Sequence, residues 1–178
     1  MLVDQNELQQ AQTLEDSMNL ALSYNLKKSI SNSFEQNEDV QVDIDQTVVM
    51  ISVSDKLLFN SGSFRVNKEA NKLLQKLADV INSEPTMEVM IEGHTDSRTI
   101  NTPILTDNWD LSVKRATSIV RILQEKYKVD PSKLIASGRS SYQPITDNDS
   151  KANRAKNRRT RIVVMPNLDK FYSLLSSK

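Results

Sequence analysis

The residues best placed to do chemistry are an acid and a base at the two ends of one loop, Asp96 and Arg115. Residues 87–91 (Met-Glu-Val-Met-Ile) read as the end of an apolar strand, while Ala116, Ile119, Val120 and Leu123 recur at helical spacing. Asp96 therefore sits on the strand side of a strand-to-helix loop, and Arg115 in the second turn of the helix that follows. Strand ends and helix starts converge at such a rim, with free N–H groups pointing at whatever is bound. A carboxylate and a guanidinium facing the same crevice would fit a zwitterionic group between them. They could equally close on each other as a structural ion pair, and spacing alone leaves both readings open.

Other chemistry is thin. His94 is the single histidine and the chain has no cysteine, so thiolate catalysis, cysteine-type zinc sites and disulfides are excluded. Without a second histidine or a serine in triad-like context, neither a metal centre nor a catalytic constellation can be assembled, and His94 reads as a loop-shaping residue. The expectation is a protein that is not an enzyme and needs no metal or cofactor. Trp109 could stack on a sugar or peptide, but an aromatic on the first turn of an amphipathic helix is expected to pack inward. Lys151, Arg154, Lys156, Arg158, Arg159 and Arg161 form a basic cluster. It lies beside Asp147 and Asp149 and has no interleaved aromatic platform, so it reads as a solvated face with one or two arginines pinned by the fold.

These residues need elements to hold them. At 178 residues the chain has room for one compact domain plus an appendage. Its formal net charge is zero with 26% charged residues, so no global field steers it to nucleic acid or acidic lipid. There is no run of eighteen apolar residues and no secretory leader, which predicts a soluble chain whose membrane anchor, if any, would come from a segment upstream.

In residues 7–37, Leu14, Met18, Leu22, Leu26, Ile30 and Phe34 recur in steps of four. They predict a long amphipathic helix connecting to the domain, in preference to the tail of a coiled coil. Residues 1–39 are thus read as a connecting helix and 40–178 as the domain. Alternation over 40–44 and an apolar run over 47–53 predict a hairpin. Residues 56–59 read as a short extended piece, and 60–63 as a turn. Ala70, Leu73, Leu74, Leu77, Ala78 and Ile81 mark a helix over 67–83, stopped by Pro85. A second helix is expected over 108–127, with Asp107 or Asn108 as its cap. Residues 132–138 suggest a short strand, 140–155 a polar loop, 160–165 a last strand and 168–175 a closing helix. The fold class is α/β, an α+β sandwich: a mixed sheet in β-β-α-β-α-β order with helices packed on one face.

Five blocks carry a further signal. Leu58-Phe59-Asn60-Ser61-Gly62-Ser63, Ile91-Glu92-Gly93-His94-Thr95-Asp96, Asn108-Trp109-Asp110-Leu111-Ser112-Val113-Lys114-Arg115-Ala116, Gly138 with Pro144-Ile145, and Asn157-Arg158-Arg159 stand in this order over about residues 40–166. Together they resemble the OmpA/MotB C-terminal domain, and the Asn-Trp-Asp-Leu-Ser version is especially similar to MotB-like members. The resemblance implies a periplasmic, peptidoglycan-binding module of the cell envelope without catalytic activity. In such domains the aspartate of the Thr-Asp pair and the arginine of Leu-Ser-x-x-Arg-Ala hold the diaminopimelate of the stem peptide, which assigns those roles to Asp96 and Arg115. Asn108, Thr95, Leu111 and Arg158 fall at positions that line or support the pocket. Asn60 stands at a rim position where the family often has an acid. The resemblance leaves two settings open: an anchor to the wall, or the periplasmic domain of a MotB-like flagellar stator subunit. It leaves open whether the chain forms a homodimer.

Overall fold

The computed structural model describes residues 39–45, 48–83 and 87–166, with Tyr24 and Lys28 in addition. The helix expected over 7–37 and the closing helix over 168–175 otherwise lie outside the described residues. Strand β1 (Val40–Asp45) pairs antiparallel with β2 (Val48–Ser54) as the expected hairpin. A four-residue helical turn, α1 (Asp55–Leu58), leads to helix α2 (Ala70–Ser83), strand β3 (Met87–His94) and helix α3 (Asn108–Glu125). A single 3₁₀ turn (Pro131–Lys133) precedes β4 (Leu134–Gly138), and helix α4 (Lys151–Asn157) precedes β5 (Arg159–Pro166).

The five strands form one mixed sheet in the order β1-β2-β5-β3-β4. The last strand in sequence enters between β2 and β3, antiparallel to both, while β4 pairs parallel with β3. Ile162 stands opposite Ile51 on one side and Ile91 on the other, and Val164 opposite Val49 and Val89. These β-branched residues therefore form continuous rows on one sheet face. Leu74, Leu77 and Ile81 of α2 and Ala116, Ile119 and Leu123 of α3 cover the same face, all essentially inaccessible to solvent. The intervening positions Met50, Ser52, Glu92 and Arg161 belong to the other face. This is the expected sandwich with both long helices on one side.

Two local expectations are corrected. Residues 56–59 are not extended: Asp55 starts a helical turn closed by the Phe59 N–H on the Asp55 carbonyl, and only Phe59 makes a strand-like bridge, to Val66. The polar stretch 140–155 is not all loop, since α4 begins at Lys151 behind the Ser150 cap, whose side chain accepts the Asn153 N–H. Neither element has an apolar stripe, so periodicity could not reveal it.

Candidate binding site

The loop between β3 and α3 (residues 95–107) is held at both ends. At the helix end, the Asp107 carboxylate caps α3 by accepting the Trp109 and Asp110 N–H groups at 2.8 and 3.1 Å. At the strand end, the Thr95 N–H donates to the Ser140 carbonyl at 2.9 Å. Asn108 Nδ2 reaches back to the carbonyls of Arg98 and Asp96 at 2.9 and 3.3 Å. The family-like asparagine thus shapes the loop from within.

Helix α3 lies so close to the sheet that two glycines are required. A Cβ on Gly93 would sit 2.3 Å from the Ser112 carbonyl oxygen, and one on Gly138 would sit 2.5 Å from Ser112 Oγ. Ser112 itself is fully buried. Its hydroxyl donates to the Trp109 carbonyl and accepts the Ser140 N–H at 3.2 Å. Ser140 holds a left-handed backbone (φ 51°), tying the loop after β4 to the same helix.

Above this contact lies an open pocket of about 350 Å³ lined by Asp96, Asn108, Leu111, Arg115, Thr95 and Arg158, and also by Ser61, Gly62, Arg98, Thr99, Ile100, Lys151 and Arg154. Six of the seven candidate residues are therefore brought together. Asn60 is not among the lining residues; the next two residues line the pocket instead, with Gly62 turning the chain at φ 68°.

Asp96 and Arg115 do not close on each other. Asp96 Oδ2 accepts from Arg158 Nη1 at 2.5 Å, and Oδ1 accepts the Arg98 N–H at 2.9 Å. Arg115 Nη1 is paired with Asp55 Oδ2 at 2.5 Å, and its Nε donates to the Ser63 carbonyl at 2.8 Å. The guanidinium also lies 5.0 Å from the centroid of the Phe59 ring. Asp96, Arg158 and Arg115 thus line the pocket, each held in an ion pair whose acid and arginine lie on different elements, with Asp55 behind Arg115 and outside the lining.

Asp55 was invisible as a site residue in the sequence. It is buried, its Oδ1 finds no hydrogen-bond partner, and its N–H donates to the Arg158 carbonyl at 3.1 Å. It touches both arginines, one through its side chain and one through its backbone. Burial raises its carboxyl from 3.8 to about 6, against the lowering pull of Arg115 and Arg158, with the Asp96 charge adding to the rise. Burial likewise lowers the Arg115 guanidinium.

The Asn157-Arg158-Arg159 block divides its labour. Asn157 is fully buried; its Oδ1 accepts the Ile145 and Thr146 N–H groups, and its Nδ2 donates to the Thr146 carbonyl and Asn148 Oδ1. Arg158 faces the pocket. Arg159 points away, buried, donating to the carbonyls of Asn157 and Gln143. Of the basic cluster, Arg158 and Arg159 are indeed pinned, but Lys151, Arg154 and Arg158 line the pocket, so the cluster is not merely a solvated face.

His94 belongs to a separate buried polar group. Burial keeps its imidazole below the usual range, so a neutral ring donates through Nε2 to Glu92 at 2.9 Å. Arg139 Nε completes Glu92 at 2.7 Å, with Arg161 Nη1 at 3.5 Å. The His94 bond and these cations hold the Glu92 carboxyl down at about 2 despite its burial. Trp109, expected inside, is 47% exposed and leans on Tyr142 with ring centroids 5.6 Å apart. Its side of α3 is neither the pocket side nor the core side. Among the described residues no group of three or more histidine or acidic side chains could hold a metal ion.

The architecture and this pocket define a class, a mixed-sheet α+β domain that presents a charged pocket at the strand-to-helix rim. Residues 58–158 match the OmpA family, and the chain belongs to that family. It is 31% identical to motility protein B of Bacillus subtilis over 118 residues, 66% of this chain and 45% of that protein. Among solved structures, the cell wall anchor of the T6SS from Pseudomonas aeruginosa is 30% identical with a TM-score of 0.71, covering 79% of this chain and 96% of that one. The periplasmic domain of Helicobacter pylori MotB is 26% identical with a TM-score of 0.68, over 79% of this chain and 90% of that one. The chain spans about half the length of the curated relatives it matches.

Proposed function

We propose that this domain binds peptidoglycan non-covalently, in the periplasm or cell envelope of a bacterium, by holding the zwitterionic end of diaminopimelate in its stem peptides. The observation that carries the reading is that Asp96, Arg158 and Arg115 line one pocket, each held in an ion pair, Asp96–Arg158 and Asp55–Arg115. Diaminopimelate presents an ammonium and a carboxylate on one carbon. Asp96 takes the ammonium and Arg115 the carboxylate, with Asn108, Thr95 and Leu111 shaping the space between. Family membership and the likeness to a cell wall anchor support the same reading. The activity is binding, not catalysis. Charge-assisted bonds of about 1.5–3 kcal/mol each give modest affinity per site, and a polymer presenting many stem peptides turns it into firm attachment.

Sedimentation with purified peptidoglycan is the test. Asp96→Ala and Arg115→Ala are each expected to weaken binding by about 2–4 kcal/mol, non-additively, because both act on one ligand group. Arg115→Lys is expected to rescue only in part, since an ammonium lacks the two-donor plane. Wild-type retention of either alanine variant in the pellet, with unchanged circular dichroism, would remove these residues from the site.

A second setting is the periplasmic part of a flagellar stator subunit, favoured by the likeness to motility protein B and to the MotB periplasmic domain. It uses the same wall contact for a different load. No helix among the described residues is long and apolar enough to cross a membrane, so that setting requires a span elsewhere in the gene product. Complementation of a non-motile strain lacking its own stator subunit, with the full-length gene, distinguishes the two.

A further inference from the structure

We infer that the pocket reads a second carboxylate on its Lys151–Arg98 wall, so that its ligand is a stem peptide with a free carboxylate beside the zwitterion, and amidated peptide is selected against. This rests on the stem-peptide reading above and adds a specificity to it.

The charges of the lining carry the inference. Asp96 with Arg158, and Asp55 with Arg115, are internally neutral pairs, and a diaminopimelate zwitterion laid over them is neutral too. Three more cations line the same pocket: Arg98, Lys151 and Arg154. Arg154 is partly answered. Its Nη1 donates to the carbonyls of Asn148 and Asp149 at 2.8 and 3.1 Å, and the Asp149 carboxylate lies near enough to feel its charge. That carboxylate is itself taken up by the Ser150 N–H and Asn153 Nδ2. Arg98 and Lys151 have no carboxylate within ion-pair distance among the described residues.

Both cations stand on an ordered backbone. The backbone of Arg98 is fixed at both ends, its N–H on Asp96 and its carbonyl on Asn108 Nδ2. Lys151 opens α4 directly after the Ser150 cap, and that helix ends in the fully buried Asn157. In a chain of zero net charge, this wall carries a local surplus of exposed positive charge beside neutral ion pairs, which favours an anion there. A zwitterion does not supply that anion. The α-carboxylate of the γ-linked glutamate that precedes the diamino acid does: its α-carbon lies nine bonds from the zwitterion carbon, through the γ-amide and the diaminopimelate side chain, so the two stand at most about 11 Å apart. A cavity of about 350 Å³ is the size of a small-molecule site and holds more than one amino-acid head group.

The test titrates the full chain with three synthetic tripeptides by calorimetry. The first has free carboxylates throughout, the second a glutamate α-carboxamide, the third an amidated diaminopimelate side-chain carboxylate. Wild type is expected to bind the first about tenfold more tightly than the second. Lys151→Gln combined with Arg98→Gln is expected to bind both with the weaker affinity, while circular dichroism stays unchanged. Equal binding of the first two peptides by wild type, or discrimination that survives in the double variant, overturns the inference. If those two bind equally while the third fails, the stem-peptide reading stands and the second-carboxylate site falls. If none of the three binds, both fall. A fourth arm adds inorganic phosphate: displacement of the first peptide at millimolar phosphate, but not at matched chloride, marks a general anion site and overturns the carboxylate assignment.

Discussion

At the scale of single residues, the pocket separates what folds the domain from what it is for. Asp55 is buried beside Arg115 with one oxygen unpartnered, and its carboxyl is raised to about 6. A raised acid stabilises the fold fully below its unfolded value of 3.8, and that stability is lost as pH rises through about 6; the displacement is worth about 3 kcal/mol. Asp55→Asn is therefore expected to leave the domain at least as stable as wild type at pH 7, to flatten its stability between pH 4 and 6, and yet to weaken wall binding by releasing Arg115. Chemical denaturation across that range, beside sedimentation, measures both; a variant that loses stability and keeps binding refutes the role. Glu92 has the opposite sign. Its carboxyl is lowered from 4.5 to about 2, so its stabilisation is present above 4.5 and lost as pH falls toward 2. Glu92→Gln should shed about 3 kcal/mol at pH 7 and little at pH 2, readable from the acid limb of a denaturation series. The placement of Asp96 and Arg115 at one rim was legible in the sequence because loop and helix patterns flank them. Asp55 was not, because its partner lies far along the chain and only the fold sets α1 against α3.

At the scale of elements, the site depends on how closely α3 lies on β3 and β4. The Gly of Gly-His-Thr-Asp was readable as part of a block, but its cause is a contact distance that no one-dimensional pattern contains. A methyl group at Gly93 would meet main-chain carbonyl at 2.3 Å, and a backbone cannot swing aside like a side-chain tip. Gly93→Ala is therefore expected to destabilise the domain by about 3 kcal/mol and, in whatever remains folded, to lift α3 and spoil binding. A thermal melt checks the first effect and sedimentation below the transition the second. Removing the Asp107 cap is milder: Asp107→Ala should cost about 1 kcal/mol and leave the pocket residues in place. The long helices and the strands of the apolar face were legible because each pairs a period with burial. The turn Asp55–Leu58 and helix α4 were not, since α4 reads Lys-Ala-Asn-Arg-Ala-Lys-Asn and buries only its last residue. What holds α4 is the Ser150 cap and the Asn157 hydrogen bonds, and both are local polar chemistry. Trp109 escaped expectation for a related reason. The core-facing and pocket-facing sides of α3 were already taken by other residues, which left its ring on the outside against Tyr142.

At the scale of the molecule, the core and the pocket come from the same stretch of chain. Among the described residues, the buried apolar cluster runs from Val49 to Val164 and the pocket lining from Ser61 to Arg158. The sheet closes only when β5 enters between β2 and β3, so the ends of this stretch are joined through the middle of the fold and no part can fold far ahead of the rest. A fragment of residues 39–166 is therefore expected to unfold in one cooperative transition and to bind a soluble stem peptide with the affinity of the full chain, within about twofold. Attachment to whole peptidoglycan is a different quantity. One pocket of modest affinity releases quickly, whereas two pockets on one tether meet neighbouring stem peptides at high effective concentration, for a gain of about 10²–10⁴ without any new contact. A tandem repeat of the fragment, joined by a flexible linker, should remain with sedimented peptidoglycan through washes that remove the single fragment, while both bind soluble peptide equally per site. Salt should loosen both forms, because the contacts are ionic and partly exposed. If the single fragment is retained as firmly as the tandem, the affinity of one pocket is not modest, and contacts beyond this charged pocket must be holding the wall.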